Sequence, residues 1–310
     1  MVSLGLAWAT LSRVLGIDGG GTTTRAWAVE AGQVIWKGQS GPSNWSSTPG
    51  PRLRQNLAKA LVGAPRVDSV CGCFAGLITH NQKAEAETTL RELAGCSRVA
   101  AFPDYRATWA ACPAGTTALV IAGTGSVIVS EPRPGELRRD GGGGPLFGDF
   151  GSSFGLVRSM LQRCVEDGQP LPRKMAQKAA ETYGTDQLDA VISWLHQAPS
   201  PAAAAAKLAK PLVQAAQLGD RWAEETIQAE MLKLARVLIR HLEDGHEPQG
   251  FWSIVLAGGA WKLGETILRT FEDSCERLLS GRRGKEEWGL QTLQMAPVWG
   301  AVLLAEQQLK

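Results

Sequence analysis

The chain contains no long apolar run. Nothing in it approaches the roughly 18 consecutive apolar residues of a membrane-spanning helix, so no span is expected. Neither sign of charge is in excess. Lys and Arg number 32, Asp and Glu 30, for a formal charge of +2, which argues against a nucleic-acid or anionic-membrane partner and against an acidic disordered chain. Cysteine is sparse, with six residues at 71, 73, 96, 112, 164 and 275. None has the paired spacing of a zinc site, and 310 residues need no disulfide framework. Small buried thiols in a reducing cytoplasm are expected. The four histidines, at 80, 196, 241 and 246, have no ligand spacing and read as core or surface residues. Two familiar nucleotide motifs are also missing: there is no G-x-x-x-x-G-K-[ST], and no G-x-G-x-x-G lies between a strand and a helix. Tyrosine occurs twice against 11 tryptophans. The opening MVSLGLAWATLSR lacks a basic stretch before its apolar run at Leu4–Leu11 and leads straight into a strand, so it reads as an N-terminal extension rather than a signal peptide.

Glycine, by contrast, is abundant: 36 residues, about 12% of the chain against an average near 7%. No third-residue period makes it collagen-like. The glycines fall between strand-like segments, which excludes a flexible linker.

Strands and helices alternate along the first third. Arg13–Asp18, Thr24–Glu30 and Val34–Gly38 read as strands, Pro51–Gly63 as a helix and Val67–Ala75 as a buried strand. Asn81–Ala94 reads as a helix, Arg98–Phe102 as a strand and Asp104–Cys112 as a helix. The opening pattern then returns, with Thr117–Ala122, the turn Gly123–Gly125, and Ser126–Ser130. Two strand–glycine turn–strand units about a hundred residues apart suggest two similar domains. From Gly151 to about Gly245 the sequence is mostly helical, most clearly at Asp220–Leu242, where Trp222, Ile227, Met231, Leu234, Leu238 and His241–Leu242 recur at helical steps. The alanine run after Ser200-Pro201 also reads as helix. Ser253–Ala257 is a strand, Trp261–Leu279 a helix, Ser280–Glu287 a basic loop, Gly289–Met295 a strand and Pro297–Gln308 a closing helix. The fold class is therefore α/β.

Four glycine clusters follow or join strands: Gly16, Gly19, Gly20 and Gly21; Gly123 and Gly125; Gly141–Gly144 with Gly148, Gly151 and Gly155; and Gly258 with Gly259. Such turns let backbone amides approach phosphate oxygens. A carboxylate at a strand end beside a Gly/Thr turn, here Asp18, suits a hydrated magnesium ion.

LGIDGGGTTTRAWAVE resembles the first phosphate motif of the sugar kinase–Hsp70–actin superfamily. More narrowly, the chain resembles its N-acetylglucosamine kinase and BadF/BadG/BcrA/BcrD ATPase branch. The segments that carry the resemblance are Gly41–Asn44, Pro103–Ala107, Ile121–Ser126, Gly141–Leu156, Leu256–Trp261 and Ala296–Ala305, in the family's order across the whole chain. The resemblance implies two ribonuclease H-like domains facing each other across a cleft. One spans 1–115, with the helix at 297–310 packing back on it; the other spans 116–296, with a helical insert at about 151–245. It implies an ATP-dependent sugar kinase acting on an amino sugar, with ATP and Mg²⁺ as cofactors and a cytoplasmic homodimer as the working form. Its alternatives are an ATPase that activates a dehydratase-type partner and a non-catalytic sugar sensor. Carried over residue by residue, Asp104 is the general base and Asp18 organises the metal. Gly20, Gly21, Thr22, Thr23, Gly123, Thr124, Gly125, Gly258 and Gly259 contact ATP, and Asn44, Thr124, Gly144 and Asp149 contact the sugar. Trp45, beside Asn44, is open to stacking on the sugar, while the other tryptophans read as core or cover. The sequence departs from the branch at Ala75, Pro103, Gly143 and Phe150. The resemblance places these positions around the sugar, so the sugar is left open among glucosamine, N-acetylglucosamine and N-acetylmuramic-type compounds.

Overall fold

A computed structural model of the chain describes residues 12–245 and 250–310. The expected extension at Leu4–Leu11 and the histidine at 246 lie outside the described residues. Two compact units emerge. One runs to Cys112 and takes in Gln294–Lys310; the other is Pro113–Leu293.

The first unit is built on strands β1 (Arg13–Gly19), β2 (Thr24–Glu30), β3 (Gln33–Ser40), β4 (Ser69–Phe74) and β5 (Val99–Pro103), in the order β3-β2-β1-β4-β5. β1, β2 and β3 form an antiparallel meander, while β4 runs parallel to β1 and β5 parallel to β4. Every residue of β4 is buried, which is why its sequence is continuously apolar or small rather than alternating. The helices are α1 (Gly50–Ala60), α2 (His80–Ala94) and α3 (Asp104–Ala110). Thr79 and Gln82 cap α2 reciprocally, and Gly95 ends it in the left-handed conformation, satisfying terminal amides and carbonyls that the helix leaves open.

The second unit repeats this plan. Its strands are β6 (Ala118–Ala122), β7 (Ser126–Arg133), β8 (Glu136–Gly141), β9 (Trp252–Ala257) and β10 (Trp288–Thr292), ordered β10-β9-β6-β7-β8. Again three antiparallel strands are followed by two parallel ones. The repeat seen in the sequence is thus the first hairpin of two sheets with one connectivity. Between β8 and β9 come α4 (Gly144–Phe147), α5 (Ser153–Glu166), α6 (Arg173–Tyr183), α7 (Leu188–Gln197), α8 (Pro201–Ala205), α9 (Ala209–Gln217) and α10 (Arg221–Gly245); α11 (Glu265–Leu279) joins β9 to β10. The helical residues share one core with the sheet, where Met160, Met231 and Leu238 meet Val120, Ile254 and Leu256.

The last helix, α12 (Pro297–Gln307), packs on the first unit's sheet. Two glycines permit this. A Cβ on Gly300 would overlap the Ala107 carbonyl of α3, and one on Gly16 would overlap the Val302 backbone. The thiols of Cys71 and Cys73 are buried under this helix with Ala301 and Val302.

Three details differ from the sequence reading. β8 carries no apolar alternation because it is a polar edge strand, exposed along much of its length. The helix expected at Trp261–Leu279 is broken: a 3₁₀ turn at Ala260–Lys262 precedes α11, which starts after Gly264. The alanine run leaves α-helical geometry at Ala206–Leu208. Among the described residues no helix is long and apolar enough to cross a membrane.

Gly300→Ala should therefore cost about 2 kcal/mol or more in urea unfolding, because the added methyl has nowhere to go. Gly50→Ala, where a Cβ meets open space, should stay within about 0.5 kcal/mol of the parent.

Candidate active site

In the first unit the sequence-predicted residues gather at the carboxyl ends of the parallel strands, where open α/β sheets bind ligands. Asp18 is the penultimate residue of β1 and pairs in register with Cys73 of β4. Cys73 pairs with Phe102 of β5, and Asp104 follows that strand as the first residue of α3. One strand thus separates the two carboxylates, which puts their backbones about 10 Å apart at ordinary strand spacing. They sense each other. Burial pushes the Asp18 carboxyl up to about 6, the Asp104 charge adds to the rise, and Arg25 opposes it. Burial likewise pushes the Cys73 thiol well up, and its neighbour Cys71 and the two carboxylates add to the rise. The thiol therefore forms a neutral floor to the pair. Asp104 does not cap α3: Pro103 holds the N-cap position, and the Asp104 Oδ1 accepts from the Tyr105 amide (2.9 Å).

The turn after β1 is closed by the Gly20 amide, which donates to the Thr23 carbonyl (2.9 Å), while the Gly20 carbonyl accepts from Ser43 (3.1 Å). Thr24 Oγ1 bonds Ser43 Oγ and the Gly41 carbonyl, both at 2.7 Å, and so ties the turn to the segment that carries Asn44. Gly19 is required by packing, since a Cβ there would strike Ser43 and Phe74. Gly20 and Gly21 are different. Neither has a positive φ, and around Gly21 a Cβ would meet nothing within 4 Å. The amides of Gly21 and Thr22 have no partner among the described residues and lie exposed.

The second unit shows the same device. The Gly123 amide closes the turn on the Gly125 carbonyl (2.8 Å), leaving the amides of Thr124 and Gly125 open. Gly123 and Gly259 also have neither a positive φ nor a Cβ neighbour. Gly258 is structural, because its φ is +108° and a Cβ would overlap the Ala122 carbonyl, which brings it against the end of β6. Glycines at 20, 21, 123 and 259 are thus demanded by nothing within their own unit. At these positions the backbone is left bare of side chain.

Asp149 is buried and sits at φ +58°, a conformation costing about 1 kcal/mol or more outside glycine. Its Oδ1 accepts the Ser126 amide (3.0 Å), and its carboxylate lies over Gly125. Burial raises its pKa, while the Ser126 amide and Arg158 oppose the rise. One of its oxygens therefore anchors the turn. Asn44 likewise spends its side-chain oxygen locally, accepting from the amides of Ser46 (2.8 Å) and Ser47 (3.1 Å), which leaves its amide nitrogen to donate. Trp45 is half-buried and packs against the first unit's core, its ring centroid 6.0 Å from that of Phe74. Gly144 (φ +72°) opens the short helix α4, whose Leu146 and Phe147 are over 80% exposed.

The sequence reading missed Glu230. It is fully buried in α10 and accepts from the Gly151 amide (3.0 Å), from Ser159 Oγ (2.6 Å) and from Lys233 (2.7 Å). The signal was present, since a carboxylate three residues after Ile227 and four before Leu234 falls on the helix's apolar stripe.

Burial and the second carboxylate outweigh the nearby Arg25, so Asp18 holds its proton more tightly than a free carboxylate does. The electrostatics have a measurable consequence in the free protein. With its pKa raised, Asp18 binds its proton more tightly folded than unfolded, so stability falls as pH rises from about 4 to about 6 and stays lower above that. At 1.36 kcal/mol per pKa unit the cost is roughly 3 kcal/mol. Asp18→Asn should recover it at pH 7.5 and gain almost nothing at pH 3.5, read by thermal unfolding without nucleotide or metal; an equal gain at both pH values would show that charge is not the cause. Gly21→Ala should leave unfolding unchanged and weaken nucleotide binding at least about tenfold, read by calorimetry.

Comparison with known proteins places the fold. The family model of the BadF/BadG/BcrA/BcrD ATPase family matches residues 15–305. An N-acetyl-D-glucosamine kinase of Dictyostelium discoideum is 26% identical over 235 residues, covering 66% of this chain and 72% of that protein. The crystal structure of a candidate N-acetylglucosamine kinase from Chromobacterium violaceum has a similar fold, with a TM-score of 0.70 at 23% identity over 95% of this chain and 99% of the other. A ROK family glucokinase from Streptomyces griseus, solved with glucose and AMPPNP, has a TM-score of 0.62 at 18% identity over 95% and 99%. The chain belongs to the BadF/BadG/BcrA/BcrD ATPase family.

Proposed function

We propose that this protein is an ATP-dependent sugar kinase that transfers the γ-phosphate of ATP to a hydroxyl of an amino sugar of the N-acetylglucosamine type. The observation that carries the reading is the pair of carboxylates, Asp18 and Asp104, at the carboxyl ends of strands flanking β4, beside a turn with open amides. The family is one of ATPases, and the Dictyostelium relative is named for the amino sugar.

In this reading Asp104 accepts the proton of the attacking sugar hydroxyl. Phosphoryl transfer has a loose transition state, so the base need only take the proton late, and its placement matters more than its strength. Asp18 holds the metal side of the phosphate group. Magnesium, when bound there, neutralises charge on the phosphate oxygens. The amides of Gly21 and Thr22, and in the second unit those of Thr124 and Gly125, donate to phosphate oxygens. Gly258 and Gly259 leave room for the nucleoside. Asn44 donates its amide N–H to the sugar, and Asp149 turns its free oxygen to a sugar hydroxyl. The dehydratase-activator alternative finds no support in Cys71 and Cys73, which are buried within β4 and out of reach of a cluster shared between subunits.

Asp104→Asn should lower kcat by about a hundredfold or more while nucleotide affinity stays near that of the parent, and wild-type turnover would remove Asp104 from the base role. A coupled ADP-release assay over N-acetylglucosamine, glucosamine, glucose and no sugar tests the reading as a whole. Release should require a sugar and be fastest with an amino sugar. Sugar-independent release would favour a partner-driving ATPase, and no release a sensor.

A further inference from the structure

Helix α10 carries two polar side chains that its packing does not call for. Its buried stripe consists of Ile227, Met231, Leu234, Ala235, Leu238 and Leu242, yet Glu230 and His241 are as fully buried as these. A carboxylate and an imidazole in such a stripe cost free energy unless their bonds are satisfied. Both are satisfied, and both by the roots of a single loop.

At the N-terminal root, His241 Nδ1 lies 2.6 Å from Asp140 Oδ2, and its Nε2 lies 2.8 Å from Ser130 Oγ on β7, a fully buried hydroxyl. Asp140 is the next-to-last residue of β8, immediately before Gly141–Gly144. Arg138 also reaches it (3.1 Å), and Arg240 stands 4.0 Å away. At the C-terminal root, Glu230 accepts from the Gly151 amide, two residues past Asp149. Gly151 has φ +67°, and a Cβ there would press on Leu234 of the same helix. The two anchors are about three turns, roughly 16 Å, apart along one helix. Between them the loop has left-handed residues at Gly141, Gly142, Gly144 and Asp149. Its tip, Leu146 and Phe147, is exposed, and Arg158 of α5 donates to the Pro145 (2.7 Å) and Gly148 (3.2 Å) carbonyls on either side.

We propose that α10 is the frame of this loop, and that Glu230 and His241 are positioning residues that hold Asp149 and the glycine run in place for the acceptor sugar. The proposal rests on the kinase reading for the identity of the acceptor but not for the mechanical role. Glu230 accepts from the Gly151 amide as well as from Ser159 and Lys233, and His241 meets Asp140 as well as Ser130, so each places one bond at a root of the glycine-rich segment. Such a segment loses entropy on ordering. Fixing both ends reduces what remains to be lost when the sugar binds.

The test compares Glu230→Gln, Glu230→Leu, His241→Leu and the milder Ser130→Ala with the parent. Amide hydrogen exchange of the 141–156 segment is followed together with KM for N-acetylglucosamine, KM for ATP, and kcat. Gln at 230 keeps an oxygen for Gly151 and a polar group for Ser159, so that variant should stay within about threefold of the parent throughout. The two leucine variants should speed exchange in the segment about tenfold or more and raise the sugar KM about tenfold, with ATP KM and kcat changed less than about threefold. Ser130→Ala, which removes a single bond, should show the same pattern at smaller size and serves where His241→Leu fails to fold. Unchanged exchange in the segment would overturn the proposal, as would equal rises in both KM values, or a Glu230→Gln as impaired as Glu230→Leu. If no sugar is phosphorylated by the parent, the kinase reading fails and the exchange data alone decide the role of α10.

Discussion

The turn that follows the first strand of each sheet must meet two demands that pull in opposite directions. It is held rigidly, and where it carries glycine it is bare of side chain. Rigidity comes from closing the turn on itself: the first glycine amide is spent on a carbonyl two or three residues on, at Gly20 and again at Gly123. It also comes from buried hydroxyls and a carboxylate behind the turn, Thr24 and Ser43 in the first unit, Ser126 and Asp149 in the second. Bareness comes from glycines that the fold itself does not require. The glycine excess therefore has two sources. One part, exemplified by Gly16 and Gly300, lets backbone pack on backbone. The other leaves space for something outside the chain.

Charge follows the same logic. Asp18 would be more stable with its proton, or as an asparagine, and the fold keeps it ionisable beside a second carboxylate at a cost to stability. Functional sites commonly carry such unfavourable electrostatics, which is why a perturbed carboxylate in a strand-end position is informative. The cost is contained because the two carboxylates stand on either side of β4, with the thiol of Cys73 as an uncharged spacer between them. A charged or larger group at that position would either pair with Asp18 or displace it.

The sheets were legible in the sequence because their signals are local. Strand–glycine turn–strand at Arg13–Glu30 and Thr117–Glu131 is a short-range pattern, and the buried parallel strands β4 and β9 announce themselves as short apolar runs. The turn residues of the candidate site were legible for the same reason. What was not legible is what depends on distant pairing. β8 has no apolar alternation, and only its place at the sheet edge explains it as a strand. Glu230 and Gly151 are 79 residues apart, and His241 and Asp140 are 101 apart. The helical period put Glu230 on the apolar stripe but gave no hint of what it would bond. The bonds of Asn44 and Asp149 were not legible: Asn44 accepts from the nearby Ser46 and Ser47 amides, and Asp149 accepts from the Ser126 amide 23 residues away.

The two units repeat one sheet connectivity and differ in what stands at the strand ends. In the first, a short strand-to-helix step delivers Asp104 to the sheet end, and α12 closes the opposite requirement by packing backbone to backbone over β1. In the second, the polar groups nearest the turn act mainly on the chain: Asp149 holds Ser126, Glu230 holds Gly151, and His241 holds Asp140. In the second unit the carboxylates fasten both ends of a glycine-rich segment. A duplicated scaffold tolerates such differences, because each copy repeats one first strand and one closed turn, and the remaining positions are free to differ.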